Sequence, residues 1–367
     1  MKELNISTNE AGQRLDKLLH KYLSEATTSF IYKMLRKKNI VLNDKKAEGK
    51  ELLKDGDIIK IYFSDETLEK MKGGASSGTL YKESLHEKSG SLQRGGSSHK
   101  NTEKSSRDIA GKRSETKAFF QEKTEKLLKD LKKQIIYEDD NLLVIDKPSG
   151  WLSQQDEPGS ISANELCLMY LMEKGELTSE QLQTFKPGIA NRLDRNTSGL
   201  LLFGKTLPAL QSLAELLRNR TVEKYYMAVV SGSIREAKTI KGYLSKDSKQ
   251  NKVIIKKEKF NDASEINTAY TPLKSGDGFT VLKVHLLTGK THQIRAHLSS
   301  IGHPIIGDPK YGFMKDNKHY KAAAGVTHQL LHSWQLTFPD DLSGVLSPLA
   351  GKTITAEPPE EFEFFTR

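Results

Sequence analysis

The sequence predicts an α+β fold built around a large mixed or antiparallel sheet, together with a small N-terminal α/β domain. Strand-like segments outnumber helical ones in the C-terminal part of the 367-residue chain. They do not alternate regularly with helices, which argues against a doubly wound parallel sheet. Composition also changes abruptly between two apolar-rich regions, and this divides the chain into residues 1–64, 65–118 and 119–367.

Residues 1–64 have the pattern of a compact domain with two helices followed by short strands. The leucines of the segment 15–23 recur at helical spacing. A second amphipathic run follows Thr28 and Ser29, residue types that cap helices well. Apolar residues at 40–42 and the alternating segment 58–63 then predict strands.

Residues 65–118 are predicted to be a flexible basic linker rich in serine and glycine. Between positions 71 and 118 there are ten Ser and seven Gly, and ten Lys and Arg stand against five Asp and Glu. With so few large apolar side chains, burial cannot offset the entropy lost on ordering. Residues 71–118 thus carry a net charge of about +5, half of the net charge of the chain, within a predicted tether.

Residues 119–367 are predicted to be the main domain. A charged helix over residues 119–134 opens it, and a long region dominated by strands follows. The predicted strands include residues 142–145, 200–203, 225–230, 253–255 and 281–287.

The composition favours a polyanionic partner and an intracellular setting. The formal charge is +10 and the isoelectric point is about 9.2, which suits RNA. The single cysteine, Cys167, lies in an apolar helical pattern and is expected in the core. The first residues, MKELNISTNE, do not resemble a signal peptide, and no apolar run is long enough to span a membrane. We therefore expect a cytoplasmic protein that does not enter a membrane and is a monomer.

The first stretch with candidate chemistry is NRLDRNTSGLLLFG, residues 191–204. Asp194 lies between Arg192 and Arg195, directly before an apolar strand-like run. Two interpretations are open: a salt-bridged turn, or a catalytic carboxylate held ionised at the edge of a sheet. A nearby guanidinium favours the charged form of a carboxylate, and this suits either interpretation.

Two further stretches carry candidate chemistry. Residues 224–230 read as a strand, on which Lys224, Tyr226 and Ala228 share one face. The third stretch is TGKTHQIRAHLSSIGHPIIGDPKYG, residues 288–312, in which Arg295 lies between two apolar neighbours.

A nucleotide site and a metal site are the other interpretations of the third stretch. The GKT at 289–291 looks like the end of a phosphate-binding loop, but that loop needs a glycine where Val284 stands. His292, His297 and His303 lack the spacing of a helical metal-binding pair, which favours hydrogen-bonded structural histidines.

Taken together, these stretches resemble the RluA-type pseudouridine synthases, which modify large-subunit ribosomal RNA and some transfer RNAs. The resemblance covers nearly everything from residue 135 to the end, and its motifs occur in the family's order. The matching segments are residues 146–150, 191–199, 224–228, 292–295, 302–304 and 331–334.

The resemblance implies the pseudouridine synthase fold and the isomerisation of uridine in RNA. Such an enzyme breaks the bond between uracil N1 and ribose, rotates the base and rejoins it through C5. Asp194 is then the nucleophile and Arg295 its charge partner. Tyr226 stacks on or hydrogen-bonds the uracil and assists removal of the C5 proton. The base must leave its stack, and the reaction requires no metal and no nucleotide or other cofactor.

The same resemblance suggests which side chains bind RNA. We expect Arg192, Arg195, Lys224, Lys290 and His292 to contact the substrate RNA. The substrate is expected to be large-subunit ribosomal RNA, with transfer RNA as the alternative. A different class of function also remains open, namely an RNA-binding or ribosome-assembly protein that keeps the fold without turnover.

The N-terminal domain is similar to the small RNA-binding domain named after ribosomal protein S-four. The matching positions are Arg14-Leu15-Asp16, Lys33-x-x-Arg36 and residues 55–59. This similarity implies that Arg14, Lys33 and Arg36 bind RNA. A helical protein-binding module is the alternative for this domain.

Three positions depart from the family's usual residues. Asn191 stands where the family has His, and we expect this position to organise the loop. Lys290 replaces a common Arg, which keeps the charge but loses bidentate geometry. His328 stands where an Arg often precedes Gln.

Overall fold

The computed structural model describes residues 1–72, 122–157, 159–247, 252–260 and 262–367. Most of the predicted linker, residues 73–118, lies outside these ranges, as do the first residues of the helix predicted from residue 119. The described residues form two compact units.

The first unit comprises residues 1–133, 157–161 and 165–186 within the described ranges. Its four strands are ordered β1-β4-β2-β3, and each pairs antiparallel with its neighbour. The strands are β1 (Lys2–Asn5), β2 (Ile40–Leu42), β3 (Lys45–Lys46) and β4 (Ile58–Ile61). The helices are α1 (Leu15–Tyr22), α2 (Thr28–Arg36), α3 (Asp65–Lys72), α4 (122–133), α5 (Ala163–Glu173, of which residues 165–173 belong here) and α6 (Gln181–Thr184).

The core of the first unit forms where the sequence pattern places it. The apolar face of α1 is buried, including Leu15, Leu18 and Leu19. Thr27 caps α2 by accepting a hydrogen bond from the Phe30 N–H. Helix α3 adds Leu68 to the same core. The first eight residues of the segment predicted as a linker are thus helical. Their helix packs on the domain because the Leu68 side chain is buried in its apolar core.

The second unit comprises residues 134–156, 162–164 and 187–367 and contains an eleven-stranded sheet. Nine strands follow the order β11-β10-β12-β13-β9-β14-β8-β6-β5; β15 pairs with β14, and β7 with β8. The strands are β5 (Ile135–Glu138), β6 (Leu142–Lys147), β7 (Gly188–Ile189), β8 (Ser198–Gly204), β9 (Glu223–Ser231), β10 (Lys238–Asp247), β11 (Lys252–Lys256), β12 (Ser264–Gly276), β13 (Phe279–Leu286), β14 (Leu331–Thr337) and β15 (Thr353–Thr355).

The remaining helices of the second unit flank this sheet. They are α7 (Leu207–Asn219), α8 (Gln293–Ser300), α9 (Met314–Ala324) and α10 (Glu363–Thr366), with 3-10 helices at Gly344–Leu349 and Glu360–Phe362. Ala209 and Leu213 of α7 are buried in the same core as Leu200 and Leu202 of β8. This packing fixes β8, the strand that follows Asp194.

The sheet is mixed, as predicted, because β8 and β14 run parallel while the other pairs are antiparallel. At this junction Gly199 faces Ser333. Its φ is +108°, and a Cβ there would lie 2.3 Å from the Ser333 carbonyl oxygen. Only glycine allows the two strands to approach this closely.

Two further sequence predictions concern the burial of Cys167 and the lack of a membrane-spanning helix. Cys167 on α5 is buried, as expected of a core cysteine. Over the ranges that the structure describes, no helix combines the length and the apolar character that a membrane crossing requires.

Candidate active site

Asp194 lies in the loop that leads into β8, and backbone contacts define its position. Its carbonyl oxygen accepts a hydrogen bond from the Thr197 N–H at 3.0 Å, which closes a turn. One residue earlier, the backbone of Leu193 makes two hydrogen bonds with the Ser153 side chain. The Ser153 hydroxyl donates to the Leu193 carbonyl at 2.8 Å and accepts from the Leu193 N–H at 3.0 Å. The side chain of Asp194 is 26% exposed, so the carboxylate is accessible from the adjoining cavity.

Asn191 anchors the start of this loop to the sheet. Its amide nitrogen donates to the Leu200 carbonyl at 3.2 Å, and its amide oxygen accepts from the Leu202 N–H at 2.8 Å. Both partners belong to β8. The asparagine therefore organises the loop, which agrees with the expectation for this departure from the family pattern.

The charge partner of Asp194 is Arg295, which lies 101 residues later on α8. Arg295 Nη1 donates to Asp194 Oδ2 at 2.7 Å. The flanking arginines, Arg192 and Arg195, are exposed. The local salt-bridged turn is thus not the arrangement found here. Burial acts to lower the pKa of Arg295, but its hydrogen bonds and charge pairing with Asp308 and Asp194 outweigh it and raise the pKa.

His292 lies on the other side of Asp194, immediately before α8. Its Nε2 is 3.9 Å from Asp194 Oδ2, and its Nδ1 is 3.0 Å from the Tyr311 hydroxyl. Burial lowers the pKa of His292, which keeps the ring neutral at pH 7. Its backbone is left-handed, with φ of +53°, and such strain at a residue with a β-carbon is typical of functional sites.

Tyr226 and Lys224 extend from the same face of β9 toward the cavity, as predicted. Tyr226 is buried, and this burial raises the pKa of its hydroxyl to about 12. A hydroxyl that stays protonated can stack or donate a hydrogen bond, but it is a poor proton acceptor. Burial, and secondarily the charge of Arg220, lower the pKa of Lys224.

Lys147, at the end of β6, is hydrogen-bonded to the loop that carries Asp194. Its ammonium group is fully buried and donates to the carbonyls of Pro148 at 2.9 Å, Trp151 at 2.9 Å and Arg195 at 3.0 Å. Burial lowers the pKa of Lys147 to about 7, against the opposing charges of Asp194 and Asp146. The three acceptors match the three N–H groups of an ammonium ion.

One cavity of about 710 Å³, a size typical of small-molecule sites, is lined by Asp194, Arg295, His292, Tyr226 and Lys224. Asp194, Tyr226 and Arg295 all contribute to its wall, so the three predicted catalytic residues are brought together. The other cationic lining residues are Arg192, Arg195, Arg218, Arg220, Lys224 and Lys290. Asp156 and Asp194 are its carboxylates, so the cavity is strongly basic and suited to a polyanion.

The loop before α8 is ordered by Gln293. The Gln293 side-chain oxygen accepts from the Lys290 N–H at 3.2 Å and from the Thr288 hydroxyl at 2.9 Å. Lys290 itself is exposed. The other two histidines of this stretch have separate partners: His297 bonds to the Thr268 hydroxyl, and His303 donates to the Ser231 carbonyl. Hydrogen-bonded histidines were the prediction for this stretch.

The three RNA-binding candidates of the N-terminal domain lie in the first unit. Lys33 and Arg36 are exposed on α2. Arg14 holds Asp16 through two hydrogen bonds, at 3.1 and 2.7 Å, and Tyr32 donates to the same carboxylate at 2.9 Å. Much of the Arg14 side chain is therefore engaged in local structure.

Several residues around the cavity were not identified from the sequence. The sequence motifs assign no role to Asp308, Tyr311, Arg218 or Arg220. They include Lys147 only within the matching segment 146–150. Asp308 and Tyr311 belong to the segment GDPKYG, which follows Arg295 in the third stretch. The polar residues of this segment were the sequence feature that could have indicated a role beside Arg295.

His332 joins β14 to β8 next to the site and is expected to make stability sensitive to acid. It is fully buried between the Ser198 hydroxyl and the Ala356 carbonyl, both at 2.9 Å. Burial lowers the pKa of His332 from 6.5 to about 4. Between these values the unfolded state binds a proton that the folded state does not. The contribution of neutral His332 to the free energy of unfolding is thus fully present above pH 6.5. As the pH falls toward 4, the free energy of unfolding decreases by at most roughly 3 kcal/mol.

Urea unfolding of the wild type and of His332→Asn at pH 7, 6, 5 and 4.5 tests this. The variant should be less stable at pH 7 but should lose less stability on acidification. The exposed His319→Asn serves as the control and should keep the wild-type slope. An unchanged slope in His332→Asn would show that other groups cause the acid sensitivity.

Comparison with known proteins identifies the family. A sequence model described as RNA pseudouridylate synthase matches residues 141–300, which include Asp194, Tyr226 and Arg295. The ribosomal large subunit pseudouridine synthase D of Zymomonas mobilis is 31% identical over 239 residues, covering 64% of this chain and 72% of the relative. The protein of the same name from Nitrosomonas europaea is 35% identical over 214 residues, covering 58% of this chain and 59% of the relative.

The fold is shared with a solved structure as well. Human RNA pseudouridylate synthase domain containing 4 superimposes with a TM-score of 0.52 at 21% identity, over 65% of this chain and 94% of that one. The chain spans about three fifths of the length of several curated relatives that it matches. From the matching segment around the cavity and the identity to these synthases, the chain belongs to the RNA pseudouridylate synthase family.

Proposed function

We propose that this protein isomerises specific uridines to pseudouridine in RNA, and that its substrate is large-subunit ribosomal RNA. The observation that carries the proposal is the accessible Asp194 carboxylate, held by Arg295 at 2.7 Å inside a basic cavity that Tyr226 also lines. The two relatives described above bear the name ribosomal large subunit pseudouridine synthase D, which supports this substrate class.

In the proposed reaction Asp194 acts as the nucleophile and forms a transient covalent bond to the nucleotide, and this bond breaks again before the product leaves. The bond from ribose C1′ to uracil N1 breaks, the uracil rotates, and a bond from C1′ to C5 forms. The hydrogen on C5 leaves as a proton, and N1 gains a proton, so the atoms of the nucleotide are conserved. Since nothing is oxidised or transferred to another molecule, the proposal includes no cofactor.

The surrounding groups have distinct roles in this proposal. Arg295 orients the Asp194 carboxylate through the hydrogen bond from its Nη1 at 2.7 Å. Tyr226 stacks on or donates a hydrogen bond to the extruded uracil. The cations at the cavity wall bind phosphates of the RNA backbone, which supplies affinity that falls with salt concentration. The uridine enters the cavity only after it leaves its stack.

Lys33 and Arg36 on the first unit are proposed as additional RNA contacts. Both are exposed on α2, and an exposed basic helix suits phosphate binding. Their replacement by Gln should weaken RNA binding and reduce its salt dependence without changing turnover at saturating RNA.

The test of the proposed function is a chemical map of pseudouridines in ribosomal and transfer RNA. Cells lacking the gene are compared with cells complemented by the wild type or by Asp194→Asn. Specific sites in large-subunit ribosomal RNA should disappear on deletion, and only the wild type should restore them. Loss of sites in transfer RNA alone would reassign the substrate. Restoration by Asp194→Asn would reject the catalytic role and favour an assembly function.

A further inference from the structure

Helix α9 (Met314–Ala324) presents a positively charged surface outside the cavity of the second unit. Its lysines, Lys315, Lys318 and Lys321, are all exposed. Consecutive lysines are three residues apart, so their side chains are neighbours on the helix surface. Across the ranges that the structure describes, these three lysines form no salt bridge. The row of positive charge is therefore available to a ligand.

The opposite face of α9 is anchored in the second unit. Tyr320 is buried, and its hydroxyl donates to the Asp277 carbonyl at 3.1 Å. The Asn317 side chain accepts from the Gly307 N–H at 2.7 Å and donates to the Asp308 carbonyl at 3.0 Å. These contacts fix both the rotation of the helix about its axis and its place beside the segment 307–311.

The segment that Asn317 holds also contacts the wall of the cavity. The Tyr311 hydroxyl lies 3.0 Å from His292 Nδ1, and His292 Nε2 is 3.9 Å from Asp194 Oδ2. The Ser299 hydroxyl donates to the Tyr311 carbonyl at 3.0 Å, which connects the segment to α8. A ligand bound along α9 is therefore held at a fixed place relative to Asp194.

The residues on the exposed side of α9 do not favour the helix itself. Lys315 lies in the first turn, where the positive end of the helix dipole disfavours a cation. Neighbouring like charges on a helix also repel each other. Phe313 occupies the N-cap position and offers no acceptor there, whereas Ser, Thr, Asp and Asn are preferred. Binding of an anion to this surface would offset these costs.

An RNA strand matches both the charge and the apolar residues of this surface. The rise from Lys315 to Lys321 is about 9 Å, and a nucleic acid strand carries a phosphate about every 3.4 Å along its axis. The row thus spans two or three phosphates. Phe313 is 48% exposed and Met314 73% exposed at the start of the row. An exposed aromatic ring beside cations is typical of surfaces that stack unpaired bases.

We propose that the exposed face of α9 is an RNA-binding surface outside the cavity, on which Lys315, Lys318 and Lys321 bind phosphates next to the target uridine and Phe313 stacks on an unpaired base. This inference rests on the proposed function, which supplies RNA as the substrate. The surface adds affinity and fixes the position of the flanking RNA. The breaking and forming of bonds at the uridine remain with the cavity.

The main test replaces all three lysines by glutamine, which has a similar helix propensity but no charge. Binding to an in vitro transcript of large-subunit ribosomal RNA is measured over a series of salt concentrations. Affinity should fall by about 10-fold or more at about 0.1 M salt. The slope of log affinity against log salt should decrease by about 2 to 3, since each lost phosphate contact accounts for about 0.9.

Kinetics on the same transcript separate binding from chemistry. KM should rise in parallel with the loss of affinity, while kcat at saturating RNA stays within about two-fold, because the lysines hold the substrate and the transition state equally. Unchanged affinity and salt slope in the triple variant would overturn the proposal. A fall in kcat with unchanged KM would overturn it as well.

The matched control removes the same charge from exposed positions of the second unit outside α9. It combines Lys238→Gln, Lys241→Gln and Lys352→Gln. This variant should keep the affinity within about two-fold of the wild type and should keep most of the salt slope. Equal losses in the two triple variants would mean that net charge alone attracts the RNA, and this would refute a binding surface on α9.

The stacking role of Phe313 is tested by substitution with alanine and with tryptophan. Phe313→Ala should weaken binding by about 10-fold, a loss typical of a removed stacking contact. The salt slope should not change, because stacking releases no counterions. Phe313→Trp should restore the wild-type affinity, since a larger ring stacks at least as well. Equal losses in Phe313→Ala and Phe313→Trp would refute stacking at this position.

Failure of this inference and failure of the proposed function give different results. A wild type that binds the transcript but releases no product would count against the proposed function, and the binding data would still decide the role of α9. An active wild type together with unchanged affinity in the lysine variant would count against this inference alone.

Discussion

Replacing Asp194 by asparagine is expected to abolish uridine isomerisation while changing RNA affinity by no more than a few-fold. Asparagine matches aspartate in size and can still accept a hydrogen bond from Arg295, but a neutral amide is a very weak nucleophile. The single-turnover rate should therefore fall by at least about 10⁴-fold, as for other removed nucleophiles. Affinity depends mainly on the cations that line the cavity, and these are unchanged.

The measurement is the release of tritium from RNA that carries uridine labelled at C5, because isomerisation removes the C5 hydrogen. Binding of the same RNA is measured separately at two salt concentrations. Asp341→Asn, a substitution at an exposed carboxylate, is the control and should behave as the wild type. Substantial turnover in Asp194→Asn would mean that another group attacks the substrate.

The pairing of Asp194 with Arg295 was predictable because each residue lies in a sequence motif of the family. Asp194 and Arg295 are 101 residues apart, and no local pattern of charge or periodicity relates them. Their pairing followed from the resemblance of the separate stretches to one family. The strand pattern around Tyr226 was predictable for a different reason: alternating side chains of β9 face opposite sides of the sheet.

The groups that support this pair could not be predicted in the same way. Asp308 accepts hydrogen bonds from one edge of the Arg295 guanidinium, and the sequence does not show which edge is free. Lys147 donates to the carbonyl of Arg195, 48 residues away, and backbone carbonyls leave no trace in a sequence. Arg218 and Arg220 reach the cavity because α7 ends beside it, with Arg220 in a left-handed conformation.

The net charge of the chain does not by itself locate the basic surface of the site. The net charge of +10 pointed to a polyanion, yet about half of it lies in the serine- and glycine-rich segment. What matters for the site is the local excess of cations around Asp194. That excess is a property of the folded domain, since its members come from three separate regions of the chain, residues 192–195, 218–224 and 290–295.

Replacing Lys147 by methionine is expected to lower both stability and turnover. Methionine fills similar space but removes the Lys147 donor from the carbonyls of Pro148 and Trp151, and it leaves the Arg195 carbonyl with only its bond from the Gly150 N–H at 2.9 Å. A buried polar group left unpaired costs about 1–3 kcal/mol, partly offset here because a buried charge is also removed. The Arg195 carbonyl belongs to the turn that carries Asp194, so the loss of one of its two donors should loosen this turn, shift the nucleophile and reduce kcat by about 10- to 100-fold.

Lys205 provides the matched control for this substitution. It is also buried, and its ammonium group contacts Glu138 at 3.1 Å and the Asp139 carbonyl at 2.8 Å. Lys205→Met should lower the melting temperature to a similar degree while leaving kcat within about two-fold, since Lys205 follows the end of β8 whereas the Asp194 loop precedes its start. Melting curves and kcat are measured for both variants under conditions in which each is folded. If Lys147→Met loses stability but keeps full turnover, the ammonium group holds the strand end in place without orienting the nucleophile.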